Sequence, residues 1–373
     1  MLKPLGRRSL LKAGLAGAVL AAPQARLLAG ASSGGRLDAL MARSIAINGN
    51  MLPAFNEDPS APDFQQEVLS TGLTAVRYSL AGAEPSFEGA IDHIGWVNKQ
   101  IAAHGEVYLH VRSTEDIRKA KELGRIGIIY AFEDATMFDG RLDRIELFCE
   151  MGVRSMQLSY NGQSPFASGV MVPDRDAGLT EKGRHAVILM NALGVTVDAS
   201  HSNDRSTLDI VEQSDRPIMI SHAGCGAVFD HPRNRSDAAL RAVAEAGGVV
   251  GIYELAYLTP GLEQQTLDVY MRHLTHAIDV CGEDHVGIGS DALLLEFDTG
   301  PESMKQWNDS IAERKKAGVN APGEGPPPFV VELNGPQRMR LIAGALLDRG
   351  YSERAVEKIL GANFLRVFEE TWR

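Results

Sequence analysis

Four polar side chains follow apolar segments of the sequence at the point where each segment ends. They are Glu133, His201, His222 and Asp291, and the segments before them are 126–132, 195–199, 218–221 and 286–289. One such residue is usually an ordinary strand-end residue, but four at equivalent positions of a repeated unit favour a shared site. Two imidazoles and two carboxylates are suitable ligands for a divalent ion such as zinc. Because a zinc-bound water has a pKa near 7, this set of residues predicts metal-assisted hydrolysis.

The elements that must position these residues are short apolar segments that alternate with amphipathic ones. Nine β-rich segments occur, at 44–47, 75–80, 107–111, 126–132, 153–158, 195–199, 218–221, 249–252 and 286–289. Most are apolar throughout, which is typical of parallel strands buried on both faces. The repeated strand–helix units predict an α/β fold, a (β/α)8 TIM-type barrel with its active site at the carboxyl ends of the strands. Because nine segments exceed eight strands, we expect 107–111 to be an accessory strand.

Helical patterns lie between several of these segments. One covers 181–193, with Thr180 as its N-cap and Gly194 as its C-terminal stop. Others cover 237–246, 266–280 and 352–368, and the proline-rich stretch 318–331 is predicted to be a long loop. The sequence has no P-loop and no Gly-x-Gly-x-x-Gly after a strand, which argues against a doubly wound nucleotide-binding fold.

The composition favours a soluble globular enzyme. The 373 residues carry a formal net charge of −11, and 44% of them are hydrophobic. This acidic balance argues against a protein that coats nucleic acid or an anionic membrane. The 3 cysteines lie far apart, which excludes a disulfide scaffold and a cysteine-only metal cluster.

The first 31 residues have the features of an export signal. They combine Arg7 and Arg8 with an apolar stretch rich in Gly and Ala and with a small-residue end at 29–31. The apolar stretch is too short for a stable membrane span. We therefore expect 1–31 to be a twin-arginine signal that engages the twin-arginine export machinery. Residues 32–373 would then form a single barrel domain in the bacterial periplasm.

Several segments of the predicted barrel resemble the membrane (renal) dipeptidase family of zinc peptidases. They are GLTEKGR at 178–184, MNALGV at 190–195, VDASH at 197–201, RPI at 216–218, SH at 221–222, HPRN at 231–234, GIGSD at 287–291 and ILGANF at 359–364. These motifs occur in the family's order and spacing, from about the first predicted strand to the C-terminus. The resemblance implies an amidohydrolase-like barrel, in agreement with the fold predicted from the strand pattern.

The resemblance also implies roles for individual residues. Glu133 corresponds to the carboxylate that bridges two zinc ions, and His201 and His222 correspond to ligands of one of them. Asp291 corresponds to the acid that orients the attacking water and takes its proton. Arg233 corresponds to the cation that binds the substrate carboxylate, a bidentate task that suits a guanidinium.

The sequence departs from the family pattern at the first predicted strand. The family has a His-x-Asp pair followed by Leu-Pro, whereas Gly49 and Met51 stand at the two positions here. Glycine offers no ligand atom, and a thioether is a poor partner for zinc in an oxygen-rich site. We therefore expect one zinc ion rather than two, with Asn50 available to contact substrate or water.

A second departure follows the segment 153–158. The family often has Thr-His-Asn there, and this sequence has Ser159, Tyr160 and Asn161. The Tyr160 hydroxyl can donate to a developing oxyanion, although tyrosine carries protons less readily than histidine near neutral pH. The alternative is that Tyr160 forms an aromatic wall of the pocket. Asn161 is a predicted substrate contact.

Together these features predict a periplasmic zinc-dependent hydrolase that resembles a dipeptidase and cleaves a dipeptide or a related small amide. The predicted residues are the metal ligands Glu133, His201 and His222, the catalytic residues Asp291 and Tyr160, and the substrate contacts Arg233, Asn161 and Asn50. Two alternatives remain: hydrolysis of a non-dipeptide amide in a maturation or catabolic reaction, and an inactive ligand-binding relative. Whether the chain forms a homodimer is left open.

Overall fold

The structure, a computed structural model, describes residues 35–55, 63–261 and 263–372. The predicted export signal at 1–31 lies outside the described residues, so this signal and the domain boundary after it stay predictions. Within these described ranges, no helix combines the length and the apolar character needed to cross a lipid bilayer.

Eight parallel strands form a closed barrel, which confirms the predicted fold class. In chain order they are β1 (Ile47–Asn48), β2 (Ala75–Ser79), β3 (Ile126–Phe132), β4 (Ser155–Gln157), β5 (Thr196–Asp198), β6 (Met219–Cys225), β7 (Val249–Ile252) and β8 (Val286–Ile288). Each strand pairs with the next one along the chain. The barrel closes where Ile288 of β8 pairs with Asn48 of β1. The carboxyl ends of all eight strands therefore surround one mouth.

The barrel strands are buried, as their apolar sequences predict. Every residue of β3 and every residue of β6 is buried. The strand Tyr108–Val111 pairs with the amino-terminal part of β3 and lies off the closed ring. It is the accessory strand expected at 107–111, so that prediction is confirmed.

Helices surround the barrel, and one of them begins and ends at the predicted residues. Besides the helical residues 35–43, the helices are Phe64–Ser70, Phe87–Ala103, Thr114–Leu123, Asp143–Glu150, Glu181–Leu193, Asp204–Gln213, Asp237–Glu245, Leu267–Cys281, Pro301–Ala317, Arg338–Asp348, Glu353–Glu357 and Asn363–Thr371. In front of Glu181–Leu193, the Thr180 side chain accepts a hydrogen bond from the Gly183 amide at 3.0 Å. Gly194 ends this helix with a φ of 75°, a left-handed conformation that favours glycine.

Two features of the C-terminal region differ from the sequence prediction. The predicted helix 352–368 is interrupted by a kink at Lys358–Ala362, where Gly361 leaves the helical conformation and packs directly on the backbone that leads into β1. The helix Pro301–Ala317 lies outside the eight strand–helix units and is followed by an irregular stretch at 318–330. We call Pro301–Ala317 and 318–330 together the cap, because both supply side chains to the barrel mouth.

Candidate active site

The three predicted metal ligands lie together at the barrel mouth. Glu133 directly follows β3, His201 lies three residues beyond β5, and His222 is part of β6. One ligand atom from each residue lies within 4.8 Å of the other two. The Nε2 atoms of His201 and His222 are 3.1 Å apart. Parallel strands bring these residues together although up to 89 positions separate them in the sequence.

Neighbouring side chains fix the orientation of the His201 ring. Its Nδ1 lies 2.9 Å from the side-chain oxygen of Asn161, and the Asn161 amide nitrogen donates to the Val319 carbonyl at 2.8 Å. Because the Val319 carbonyl can only accept, it orients the Asn161 oxygen toward His201, so Nδ1 carries the proton. The lone pair of His201 therefore lies on Nε2, facing His222.

The His222 ring is fixed in the same way by a buried carboxylate. Its Nδ1 lies 2.8 Å from the Ser221 hydroxyl, which donates to Asp198 at 2.7 Å. Burial lowers the pKa of His222 to about 4, although the Asp291 charge opposes the shift. Burial also lowers the pKa of His201 well below its usual range, and the Arg233 charge adds to this effect. Both rings are therefore neutral at neutral pH, as metal binding requires.

These donors fit a tetrahedral metal ion. Two nitrogen ligands that each lie roughly 2.0–2.1 Å from such an ion are about 3.3 Å apart, close to the separation of the two Nε2 atoms. Glu133 adds a carboxylate oxygen, and imidazole with carboxylate is a common zinc ligand set. Arg233 Nη2 lies 3.2 Å from His201 Nε2, so this guanidinium approaches the same lone pair.

Asp291 lies beside this donor group in a strained conformation. Its φ is 53°, which is uncommon for a residue other than glycine and is typical of functional sites. Its backbone amide donates to the Asn50 carbonyl, and its carboxylate accepts from the Asn50 side chain, both at 2.8 Å. Burial, followed by repulsion from Asp291, raises the pKa of Glu133 to about 7. The carboxylates of Glu133 and Asp291 therefore repel each other, and a positive charge between them would stabilise the ionised form of both.

A cavity of about 240 Å³ opens above these groups. Barrel residues supply its polar floor, and the cap supplies part of its wall. Its lining is Leu52, Glu133, Tyr160, Asn161, His201, Arg233, Leu255, Ala256, Tyr257, Asp291, Trp307, Arg314, Ala321, Glu324, Gly325, Pro326 and Pro328. The volume suits a ligand of a few residues and is small for an extended peptide.

Tyr160 connects the donor group to the cap. Its ring stacks on His201 with a centroid distance of 4.1 Å and an interplanar angle of 21°. Its hydroxyl accepts a hydrogen bond from Arg314 Nη2 at 2.9 Å, and Arg314 forms an ion pair with Glu324. Burial raises the pKa of Tyr160, so the hydroxyl keeps its proton and can donate it in a hydrogen bond.

The structure brings most of the predicted site residues to the cavity and places one of them elsewhere. Six of the eight predicted residues line it: Glu133, Tyr160, Asn161, His201, Arg233 and Asp291. A seventh, His222, lies beside Glu133 and His201 at the cavity floor. Asn50 is buried outside the described cavity lining, where its amide joins Asp291 to Arg77. Asn161 uses its oxygen for His201 and its nitrogen for Val319, so substrate contact by Asn50 or Asn161 stays a prediction.

Sequence reasoning missed three charged residues near the site. Arg77 and Asp198 form a fully buried ion pair at 2.8 Å inside the barrel, and Arg314 reaches the cavity from the cap. Arg77 and Asp198 both lie in segments that the sequence marks as buried strands. A charge in such a segment is unusual, so this signal was present in the sequence. Arg314 has no comparable signal, because its helix is polar and has no buried residue.

Position 49, where the family resemblance leads one to expect histidine, has no room for a side chain. A Cβ atom there would lie 2.4 Å from Phe364 Cζ and 2.7 Å from the Ser221 carbonyl oxygen. Phe364 enters the barrel from the C-terminal helix Asn363–Thr371 and fills the space beside Gly49. Met51 is fully buried in the hydrophobic core.

The closed β/α barrel has the TIM-type fold of metal-dependent hydrolases, and its Glu-His-His donor group lies at the carboxyl ends of the strands. The family described as Membrane dipeptidase (Peptidase family M19) matches residues 35–317. The chain therefore belongs to this family of metallodipeptidases, which confirms the resemblance found in its motifs.

Individual relatives agree with this assignment. The crystal structure of an amidohydrolase from Pseudomonas aeruginosa is 30% identical, with a TM-score of 0.77 over 90% of this chain and 99% of that chain. An uncharacterized protein in the pqqA 5' region of Klebsiella pneumoniae is 29% identical over 285 residues, which are 74% of this chain and 93% of that protein. An uncharacterized dipeptidase of Schizosaccharomyces pombe is 33% identical over 193 residues, 50% of this chain and 45% of that protein.

Proposed function

We propose that this chain is a zinc-dependent hydrolase that cleaves a dipeptide or a related small amide. The observation that carries the proposal is the donor group of Glu133, His201 and His222 at the floor of a small cavity. Both histidines are neutral and present their Nε2 atoms to each other. We propose a single ion, because the described residues contain one such group and Gly49 and Met51 offer no further ligand.

A bound zinc ion would supply Lewis acidity and an activated water near neutral pH. Asp291, held by Asn50, lies at the cavity floor where it can accept the proton of the attacking water. The protonated Tyr160 hydroxyl can donate to the oxyanion that develops on the amide carbonyl. The Arg314 contact orients this hydroxyl, since the guanidinium donates to its oxygen.

Arg233 is the proposed binding group for the substrate carboxylate. It is buried, and its Nη1 donates to the Ser200 carbonyl at 2.7 Å, which fixes the guanidinium at the cavity. Its planar fork suits a carboxylate better than an ammonium group would. Apolar groups of the cavity, including Leu52, Leu255 and Trp307, would contact the substrate side chains.

The periplasm is the proposed location, and the support comes from the sequence. Arg7 and Arg8 precede an apolar stretch in an otherwise acidic chain. The twin-arginine machinery would then be the export partner. A fusion of residues 1–31 to a reporter should reach the periplasm, and replacement of both arginines by lysine should retain the reporter in the cytoplasm.

A substrate panel with metal-loaded protein tests the proposed activity. Dipeptides, acylated amino acids and cyclic amides should be compared by mass spectrometry of the products. Turnover of acylated or cyclic amides, with no turnover of dipeptides, would favour the alternative substrate class. His201→Ala should abolish turnover, whereas His185→Ala, at an exposed helix position, should not change it. Unchanged activity of His201→Ala would reject the assignment. A protein that binds zinc and a carboxylate ligand without turnover would favour the ligand-binding alternative.

A further inference from the structure

We infer that His231 is a positioning residue that joins the cap to Arg233. One imidazole would then hold both a wall of the cavity and the guanidinium proposed to bind the substrate carboxylate. This role rests on the proposed function, because it presumes that Arg233 binds that carboxylate. His231 lies outside the described cavity lining, so it acts through its neighbours and not on the substrate.

The His231 ring forms two hydrogen bonds of opposite direction. The Arg233 backbone amide donates to Nδ1 at 3.2 Å, so Nδ1 is the accepting nitrogen. Nε2 lies 2.9 Å from the Pro322 carbonyl oxygen, which can only accept, so Nε2 carries the proton. Burial lowers the pKa of His231, and a neutral ring offers one donor and one acceptor. Both ring nitrogens are therefore used, one by the loop that carries Arg233 and the other by the cap.

Aromatic packing holds the His231 ring in this orientation. Its centroid lies 4.4 Å from that of Tyr257, with an interplanar angle of 8°, and Tyr257 lines the cavity. Phe229 also stacks on the ring, with a centroid distance of 6.0 Å and an angle of 28°. Because the ring is buried, stacked and bonded at both nitrogens, it keeps Pro322 and the Arg233 backbone at a fixed separation.

Pro322 belongs to the part of the cap that borders the cavity. Ala321 and Glu324 on either side of it line the cavity, and Glu324 accepts a hydrogen bond from the Ala321 amide at 3.0 Å. Glu324 also pairs with Arg314, which donates to the Tyr160 hydroxyl. The position of Pro322 therefore affects both the cavity wall and the groups that orient Tyr160.

The other contact fixes the backbone from which the Arg233 side chain extends. At the far end of this side chain, Nη1 donates to the Ser200 carbonyl at 2.7 Å, and Nη2 lies 3.2 Å from His201 Nε2. The His201 lone pair is the one proposed to bind zinc, so zinc would leave Nη2 available for a substrate carboxylate. The contact with His231 does not involve that lone pair, so it holds the base of the side chain in either case.

Three substitutions separate the two contacts of His231. His231→Asn provides a side-chain oxygen that can accept from the amide two residues on, which is that of Arg233, but it is too short to reach Pro322. His231→Gln extends its amide further and can donate to the Pro322 carbonyl instead. His231→Phe keeps a ring to stack on Tyr257 and removes both hydrogen bonds.

Hydrogen exchange of the full chain with zinc, read by mass spectrometry at single-amide resolution, tests the contacts directly. His231→Asn should speed the exchange of cap amides at 319–325 and leave the Arg233 amide protected. His231→Gln should have the reverse effect, and His231→Phe should speed both. Each change should be about tenfold, the effect of one lost hydrogen bond.

Steady-state kinetics test the consequence for substrate binding. The best substrate of the panel is compared with the same compound after conversion of its carboxylate to a primary amide, and the wild-type chain should have the higher kcat/KM for the carboxylate. His231→Gln and His231→Phe should reduce this preference by about tenfold, through KM and not kcat, because the lost contact serves ground and transition states alike. His231→Asn should keep the preference.

The matched control is His273→Phe. His273 is buried and has the same pair of contacts, since its Nδ1 accepts from the Cys225 amide at 3.0 Å and its Nε2 lies 2.8 Å from the Leu258 carbonyl. Both partners lie outside the described cavity lining. His273→Phe should therefore lose stability without a change in cap exchange or in the preference for the carboxylate.

The outcomes separate the role of His231 from the proposed function. No turnover of any panel compound would defeat the proposed function, and exchange alone would then decide whether His231 joins the cap to Arg233. Unchanged exchange in His231→Phe, or an equal loss of the preference in His273→Phe, would overturn the role of His231 and leave the proposed function standing. If none of the three variants at position 231 folds, His231 is purely structural and the inferred role is wrong.

Discussion

At the residue scale, the site depends on side chains that orient the proposed metal ligands. His201 presents its lone pair to the cavity because Asn161 accepts from its other ring nitrogen, and Val319 orients Asn161. His222 depends in the same way on Ser221 and Asp198. Such outer contacts fix the tautomer and the direction of a metal-binding imidazole, so they contribute to metal affinity.

Replacement of Asn161 by leucine should weaken zinc binding by roughly 10- to 100-fold, because His201 loses the acceptor that fixes its tautomer. Competition with a chelator of known affinity measures the effect. Asn191→Leu is the control, since Asn191 is also buried and hydrogen-bonded, to Ser214, away from the site. Equal zinc affinities of the two variants would show that Asn161 does not orient His201.

The sequence indicated the proposed metal ligands and the proposed proton acceptor better than the residues that support them. Glu133, His201, His222 and Asp291 stand out because each follows an apolar segment of the sequence, and the carboxyl ends of the strands meet in a closed barrel. In the structure His222 lies inside β6, which extends to Cys225. Arg77 was overlooked because an arginine inside a strand gives no indication of which buried carboxylate it faces. That partner, Asp198, is 121 positions away, and the barrel closure alone brings the two together.

At the element scale, the cap is the part of the site that the sequence predicted least well. The stretch 318–331 was correctly expected to be irregular, but the helix Pro301–Ala317 was not predicted. This helix has no buried residue, so it lacks the apolar periodicity that marks the other helices. Its recognisable signals are local: Pro301 at its first turn and Gly318, with a φ of 76°, at its end.

Replacement of Arg314 by methionine should raise KM by about tenfold, because Tyr160 and Glu324 lose a charged hydrogen-bond partner. Steady-state kinetics with the best substrate of the panel measures this change. Limited proteolysis should also cleave the cap faster in this variant. Lys305→Met removes an exposed ion pair from the same helix and should leave KM unchanged; a similar rise in both variants would contradict the proposed contact.

The kink at Gly361 offers a second prediction at this scale. A Cβ at Gly361 would lie 2.4 Å from both the Ile45 carbonyl oxygen and the Ile47 amide nitrogen, which are backbone atoms at the start of β1. Gly361→Ala should therefore lower the free energy of unfolding by more than about 2 kcal/mol, as measured by urea denaturation.

The control for this prediction is a glycine inside a regular helix. Gly344 lies in Arg338–Asp348, and a Cβ there would meet Leu37 at an ordinary 3.6 Å. Gly344→Ala should leave the stability unchanged or raise it by up to about 1 kcal/mol. A similar loss in both variants would show that the close approach at Gly361 is not the cause.

At the scale of the whole molecule, buried histidines make stability depend on pH. Burial, followed by the Arg112 charge, lowers the pKa of His110 to about 4, whereas an unfolded histidine titrates near 6.5. Between pH 4 and pH 6.5, His110 is protonated in the unfolded chain and neutral in the folded chain. The contribution to stability is therefore present above pH 6.5 and is lost as the pH falls toward 4.

Replacement of His110 by phenylalanine should remove this part of the pH dependence. The ring can still stack on Tyr130, whose centroid lies 3.8 Å from that of His110. The free energy of unfolding of His110→Phe should rise by about 3 kcal/mol relative to that of the wild-type chain as the pH falls from 6.5 to 4. Urea denaturation of metal-free protein at several pH values measures this gain. His185→Gln, at an exposed position, should follow the wild-type profile; parallel profiles for all three proteins would refute the prediction.

The packing of Phe364 against Gly49 has a consequence for how this chain can change over generations. A histidine at position 49 would collide with the Phe364 ring and with the Ser221 carbonyl oxygen, so it requires a smaller residue at 364 and a shift of the β6 backbone. That smaller residue, acquired first, would leave a void inside the barrel and reduce stability. Each step alone is unfavourable, and the two substitutions together still require the backbone at Ser221 to move. Several unfavourable steps therefore separate the present site from one with a histidine at position 49, and no single substitution reaches it.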